Sequence, residues 1–315
     1  MPNYQGVWSL STQYQNSTEW PRPPLNIGLF AGGLITSTRS DIIDQITIIT
    51  TGNATDFGDL SAGISLLAGV ASSARGVFAG GSQGSPNEIN VIQYVTLASS
   101  GNAIDFGDLT LARRALGGAS NNVRGIFLGG SAPSASNVID YITIASTGNA
   151  IDFGDAVQAI ENGIAGAASS TRALFAGGQD SGGDSNVIQY VTIDTTGNAT
   201  DFGDLTVARK EGGGVSSGTR ACFAGDASNS NVIDYVTIAT TGNATDFGDL
   251  TLGRGGLGAV CTKVRGCFGG GFSTVRTDLI DFITIASTGN ATDFGDLTQS
   301  RSQLTGASSN HGGLV

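Results

Sequence analysis

The sequence predicts an all-β fold, a closed six-bladed β-propeller, and three observations lead there. The tetrapeptide Asp-Phe-Gly-Asp occurs six times, beginning at Asp56, Asp105, Asp152, Asp201, Asp246 and Asp293. Its spacings of 49, 47, 49, 45 and 47 residues lie in the range of propeller blades. Each unit reads as four short strands with no sustained helical period, and 49 glycines in 315 residues disfavour helices throughout.

The third unit shows the pattern. Leu116 to Ser120 is small and apolar and forms strand A. Asn121-Asn122 makes a turn. Arg124 to Leu128 is strand B, closed by Gly129-Gly130, and a loop rich in Ser, Pro and Asn follows. Val138 to Ile144, dense in β-branched residues, is strand C. Thr147-Gly148-Asn149 supplies a hairpin turn, where Gly and Asn accept positive φ. Ala150 to Asp155 is the outer strand D.

The two ends are expected to share one blade. Gly306 to Asn310 matches Gly118 to Asn122, so the C-terminus supplies a strand A and then stops. Gly28 to Gly33 is a strand B with no strand A before it. Joining them shuts the ring and removes exposed sheet edges. Residues 27–315 are therefore assigned to the propeller and 1–26 to a leader.

The order of signals resembles the kelch repeat. An arginine precedes strand A at Arg113, Arg209, Arg254 and Arg301, and is missing from two units. Glycine doublets follow strand B at Gly32-Gly33, Gly80-Gly81, Gly129-Gly130, Gly177-Gly178 and Gly269-Gly270, with Gly225-Asp226 degenerate. Strand C carries Tyr94, Tyr141, Tyr190, Tyr235 and Phe282, with Gln45 in the first unit. Phe57, Phe106, Phe153, Phe202, Phe247 and Phe294 stand where kelch repeats usually carry Trp, so the likeness is kelch-like.

Comparing the units separates scaffold from decoration. From the strand C isoleucine (Ile43, Ile92, Ile139, Ile188, Ile233, Ile280) to the next Asp-Phe-Gly-Asp is 13 residues every time. Between doublet and isoleucine the interval is 9, 10, 8, 9, 6 and 9. Loops held on a rigid scaffold commonly carry binding, so the B–C loops, on one face with the D–A connections, are the expected recognition surface. The candidate residues are Gln83, Asn87, Glu88, Gln179, Asp180, Asp184 and Arg276. Tolerant surface loops would show the same variability.

Other chemistry finds little support. Asp-Phe-Gly without a phosphate loop or a catalytic-loop pattern is not a kinase signal. Asp56 with Asp59 offers two carboxylates where calcium needs six to eight oxygens; the Asp groups are read as turn caps or arginine partners. A second arginine series, Arg75, Arg124, Arg172, Arg220 and Arg265, is read as structural ion pairs, with an Asp of Asp-Phe-Gly-Asp as partner; the alternative is a sugar-acid-binding cluster, which arginines spread around a ring do not easily form. A single histidine, His311, placed in the closing strand, argues against metal centres and Ser-His-Asp triads, and leaves the copper-oxidase kelch propellers unmatched. Strand A offers mainly Gly, Ala and Ser, a chemically bare channel wall. No enzyme activity, cofactor or metal is expected.

Lys and Arg total 15 against 26 Asp and Glu, a net charge of −11. That opposes nucleic-acid binding and docking on anionic lipid, and no segment has the length to insert in a membrane. The first ten residues lack the pattern of a secretory signal. Three cysteines suggest a reducing interior; Cys222 and Cys267 share the strand B position of Ile126, and Cys261 lies in strand A beside Cys267. Asn53, Asn198, Asn243 and Asn290 fall in Asn-Ala-Thr sequons, read as turns.

The leader holds both tryptophans, Trp8 and Trp20, and a stiff Pro21-Arg22-Pro23-Pro24 run. Gly6 to Leu10 and Glu19-Trp20-Pro21, with Thr196 to Thr206 in the repeat, resemble virion structural proteins of tailed phages of marine and cyanobacterial hosts. The resemblance implies a non-enzymatic tail, fibre, baseplate or surface component, assembled in the host cytoplasm into a homo-oligomer or larger assembly. Its implied partners are other virion proteins, through Trp8 and Trp20, or a host cell-surface glycan. A cellular kelch-type scaffold for protein partners is the alternative.

Overall fold

The computed structural model describes residues 25–84 and 87–314. They form a six-bladed β-propeller of six four-stranded antiparallel sheets, with no helix among the described residues. Strands A to D run outward from the axis. Blade 1 is Thr305–Ser308, Ile27–Ala31, Ile42–Thr47 and Thr55–Asp59; blade 2 is Ala68–Ala71, Arg75–Ala79, Val91–Thr96 and Ile104–Asp108. Blade 3 is Gly117–Ser120, Arg124–Leu128, Ser136–Thr143 and Ile151–Ile160; blade 4 is Ala165–Ala168, Arg172–Ala176, Val187–Thr192 and Thr200–Asp204. Blade 5 is Gly213–Ser216, Arg220–Ala224, Val232–Thr237 and Thr245–Asp249; blade 6 is Gly258–Cys261, Arg265–Gly269, Leu279–Thr284 and Thr292–Asp296. The ends share blade 1 as expected, with Gly28 opposite Ser308 and Ala31 opposite Thr305.

The inner strands meet at backbone distance. A methyl group on Gly166 would overlap the carbonyl oxygen of Gly118, and Gly69, Gly118, Gly214 and Gly306 face the same obstruction from the strand A beside them. Small residues are a steric condition of closing the ring at this radius.

Each core lies between two neighbouring blades. Val70, Val77 and Phe106 of blade 2, for example, pack with Phe127, Ile142 and Ile144 of blade 3. The six phenylalanines of Asp-Phe-Gly-Asp are 2–3 % exposed. A β-bulge sets each one. Ile43 pairs Gly58 and Asp44 pairs Asp56, so Phe57 is the extra residue, and the same shift recurs in every blade. A bulge turns such a residue out of the pleat, here into the gap between blades.

The Asp-Phe-Gly-Asp segment also carries the outer belt. Gly101 N–H donates to the Phe57 carbonyl, Ala103 N–H to Asp59, and Asp59 N–H to Asn102 Oδ1 at 2.8, 2.7 and 3.1 Å. The triplet repeats around the circle and ends with Gly52, Asn53 and Ala54 on blade 6. The motif glycine leaves no room for a Cβ beneath the next hairpin. The sequon asparagines are thus turn residues and also acceptors from the preceding blade.

The ion pairs are made by the other arginine series than the one expected. The buried carboxylate is in strand C, and it meets the arginine before strand A: Arg113–Asp140 at 3.0 Å, Arg254–Asp281 and Arg301–Asp44 each at 2.8 Å, and Arg209–Asp234. Thr110, Thr206, Thr251 and Thr298 donate their hydroxyls to the same carboxylates. Burial lowers the pKa of Arg113, Arg209 and Arg301, and the facing carboxylates oppose this. The two blades without this arginine have Ile64 and Ile160 in its place and Gln93 and Gln189 in strand C. The glutamines accept from Ser61 N–H and Val157 N–H at 2.8 Å. Every blade therefore keeps an acceptor for one backbone N–H, and the charge pair enters and leaves as a unit.

The arginines opening strand B do not meet Asp-Phe-Gly-Asp. Arg75 lies 4.4 Å over the Tyr94 ring and donates to the Ile144 carbonyl of the next blade at 3.0 Å. Arg124, Arg172, Arg220 and Arg265 do the same. Tyr94 in turn meets Phe106 edge-on at 5.8 Å. Blade 1, with Ile27 and Gln45, lacks both arginine and aromatic.

Two boundaries also move. The blade 6 doublet is Gly270-Gly271, whose φ values of 66° and 113° match 66° and 111° at Gly32-Gly33; Gly269 belongs to strand B. The chain does not stop after its last strand A, and His311 lies beyond that strand.

Removing one partner of a buried ion pair leaves an uncompensated charge. Arg254→Ile should therefore cost about 3–5 kcal/mol in a denaturant titration. The double variant Arg254→Ile/Asp281→Gln, which copies blades 2 and 4, should recover most of that loss. Equal losses in both proteins would contradict the pairing.

Candidate functional site

The axis holds a cavity of about 130 Å³ walled by strands A. The expectation of a bare channel holds for the wall and fails at both ends. At the end bearing the A–B turns, residues 309–314 fold across the opening. Ser309 N–H donates to the Ile27 carbonyl at 3.0 Å, and Leu314 is buried. Gly312 and Gly313 lie against Gly218 and Ser120 so closely that neither has space for a side chain.

His311 fixes this plug. Gly313 N–H donates to Nδ1 at 3.2 Å, so Nδ1 is the bare nitrogen and Nε2 carries the proton. Nε2 lies 3.0 Å from the Ala71 carbonyl and 3.3 Å from Ser120 Oγ. Burial pushes the imidazole pKa down to about 4, with Lys263 acting in the same direction and the Ala71 hydrogen bond opposing it.

The other mouth is ringed by Leu66, Ala115, Gly163, Glu211, Gly256 and Gln303, all at positive φ. Their backbones join head to tail: Leu66 N–H to Gln303, Gln303 to Gly256, Gly256 to Glu211, Glu211 to Asn162, Gly163 to Ala115, and Ala115 to Leu66, at 2.6–3.1 Å. Four of these residues have side chains and accept a left-handed backbone that disfavours them, held by bonds on both sides. Burial raises the Glu211 pKa, against the pull of Lys210.

The B–C loops and D–A connections form the face around this mouth, joined by bridges such as Ser65 to Ser82 and Glu161 to Gln179. The candidate residues share the face but sit in alternate blades, 2, 4 and 6, and make no single site. Two loops are small ribbons, Ser82–Gly84 with Asn87–Glu88 and Gln179–Asp180 with Gly183–Asp184. Glu88 pairs with Arg114 at 3.4 Å and Asp184 with Lys210 at 3.0 Å. Gln179 Oε1 accepts from Asn162 at 2.6 Å, and Asp180 from Gln158 at 2.9 Å and Gly182 at 2.6 Å. These four hold the loops in shape. Gln83 and Asn87 are exposed. Arg276 lies 5.7 Å over Phe272, which is 42 % exposed beside Val275 at 68 %. Trp8 and Trp20 lie outside the described residues.

Phe272, Val275 and the mouth residue Glu211 were not singled out from sequence; apolar residues in a loop otherwise made of Ser, Thr, Arg and Asp were the available signal for the first two. Among the described residues, no group of three or more His, Cys, Asp or Glu could hold a metal ion. The three thiols are free and buried, with burial pushing Cys222 up to about 12 and Cys261 up to about 11. No protein-family model and no curated protein matches the sequence.

Because the plug holds neutral imidazole, the unfolded chain binds the additional proton between about pH 6.5 and 4. Stability should fall as the pH drops through that window. Wild type should lose on the order of 3 kcal/mol more than His311→Gln between pH 7 and 4. Parallel curves from denaturant titrations across that range would contradict the assignment.

Proposed function

We propose that the protein is a non-enzymatic structural component of a phage virion, docked through its leader and recognising a partner with its B–C face. The observation that carries the reading is the division of the two faces. Strand B of blade 1 begins at Ile27 beside Ser309, so residues 1–26 join the ring at the face of the A–B turns, which the C-terminal segment also covers. The B–C loops, where length and charge differ from blade to blade, occupy the opposite face. Leu111, Val207 and Leu252, at one register of the D–A connections, add exposed apolar side chains there, together with Phe272 and Val275.

The virion assignment is supported by the likeness of Thr196 to Thr206 and of the leader to tailed-phage structural proteins. The partner at the B–C face is a host surface glycan or a neighbouring virion protein. A cellular scaffold for protein partners is the second reading, favoured by the same apolar residues.

Deleting residues 1–24 should leave a folded ring that no longer enters particles, measured by mass spectrometry of purified virions. Exchanging the B–C loops of blades 2 and 4 for the loop of blade 5 should leave incorporation intact and alter adsorption to cells. Normal incorporation of the leaderless chain would overturn this assignment of faces.

A further inference from the structure

One position in the B–C loops separates the blades by charge. It is the residue that closes the loop by bridging back to the one after the doublet. Glu88 holds it in blade 2, Ala135 in blade 3 and Asp184 in blade 4, each bridging to Ser82, Ser131 and Gln179. In blades 1 and 6 it is Arg39, bridging to Leu34, and Arg276, bridging to Phe272. The sequences match around it, Arg39-Ser40-Asp41 and Arg276-Thr277-Asp278, four residues before the strand C isoleucine in each case.

The acidic residues at this position are neutralised by Arg114 and Lys210. The arginines are not: among the described residues neither has a carboxylate within 4.0 Å. Arg39 Nε and Arg276 Nε are shielded from water without a hydrogen-bond partner. So is Gln299 Oε1, in the connection that runs between these two loops from blade 6 to blade 1. In a chain of net charge −11, two adjacent blades thus present uncompensated guanidinium forks, one of them stacked on an exposed phenylalanine.

We propose that the sector of blades 6 and 1 on the B–C face binds an acidic polysaccharide through its carboxylates. A guanidinium fork matches a carboxylate with two parallel hydrogen bonds. Two forks at one register in neighbouring blades suit a ligand that repeats its carboxylate, as a polyuronate does. Phe272 offers the apolar face of a sugar ring a surface to cover. The inference rests on the B–C face being the recognition surface and names what this part of it recognises.

Calorimetry on the full chain at low salt tests it, with oligogalacturonate, oligomannuronate, methyl-esterified oligogalacturonate and poly-glutamate as probes. At least one uronate should bind saturably, and the ester at least about tenfold more weakly. Arg39→Gln and Arg276→Gln should each weaken binding by about tenfold or more, and the double variant should abolish it. Phe272→Ala should weaken the uronate without changing the melting temperature, while Ile104→Thr, on the exposed outer strand of blade 2, should not change uronate binding. The proposal is overturned if neither uronate binds, if ester and acid bind alike, if the double variant binds as wild type, or if poly-glutamate binds more tightly than both uronates. A loop-exchanged protein that fails to adsorb to cells, beside an Arg39→Gln/Arg276→Gln protein that adsorbs normally, would remove this site and leave the B–C face as the recognition surface.

Discussion

The approach of six inner strands to one another's backbones governs this molecule. Where Gly166 faces the Gly118 carbonyl there is no volume for a side chain, and the same holds around most of the axis. Inner strands that meet this closely cannot project reactive groups inward. Chemistry is displaced to the two ends of the axis: a histidine-pinned segment at one, and a hydrogen-bonded ring carrying Glu211 and Gln303 at the other.

From that constraint the outer layers follow. Wedge-shaped gaps open between blades with distance from the axis, and each is filled the same way: an inter-blade core, a phenylalanine turned out by a bulge, a hairpin seated on the preceding strand D. Two contacts vary: the strand B arginine over a strand C aromatic, absent from blade 1, and the latch between strand C and the D–A connection, which has two versions. Buried ion pairs often contribute no more than an apolar replacement, and a single chain that uses both versions under one geometry is consistent with that. The scaffold thus tolerates exchange of whole units of interaction while its dimensions stay fixed.

Repetition made the fold legible in the sequence. The spacing of Asp-Phe-Gly-Asp, the β-rich strand C and the matching ends sufficed for blade number, strand order and closure. Pairing across blades was less legible, because contacts such as Arg113 with Asp140 join residues of different strands whose facing is set only in three dimensions. The clue was present in the joint loss of arginine and aspartate at Ile64/Gln93 and Ile160/Gln189. The run Gly269-Gly270-Gly271 hid the true doublet, since only φ tells which two glycines turn the chain. At the candidate site, Arg276 was visible as a loop charge, but Arg39 was not, because the loops were compared by length and composition. Counting back from the strand C isoleucine aligns the two. The plug was invisible, as its last four residues, His311 to Leu314, carry no repeat.

The central claim is a ring set by backbone contact at the axis, with variation permitted only where that contact is absent. Denaturant titration of Gly166→Ala beside Gly84→Ala tests it most directly. Gly84 lies in a B–C ribbon, at an ordinary φ, and among the described residues the nearest atom to an added methyl group is Asn87 Cβ at 3.9 Å. The account predicts a loss of about 3 kcal/mol or more for Gly166→Ala, since the obstructing atom is backbone and cannot turn aside. Gly84→Ala should stay within about 0.5 kcal/mol of wild type. A Gly166→Ala protein as stable as the Gly84→Ala protein would contradict the account.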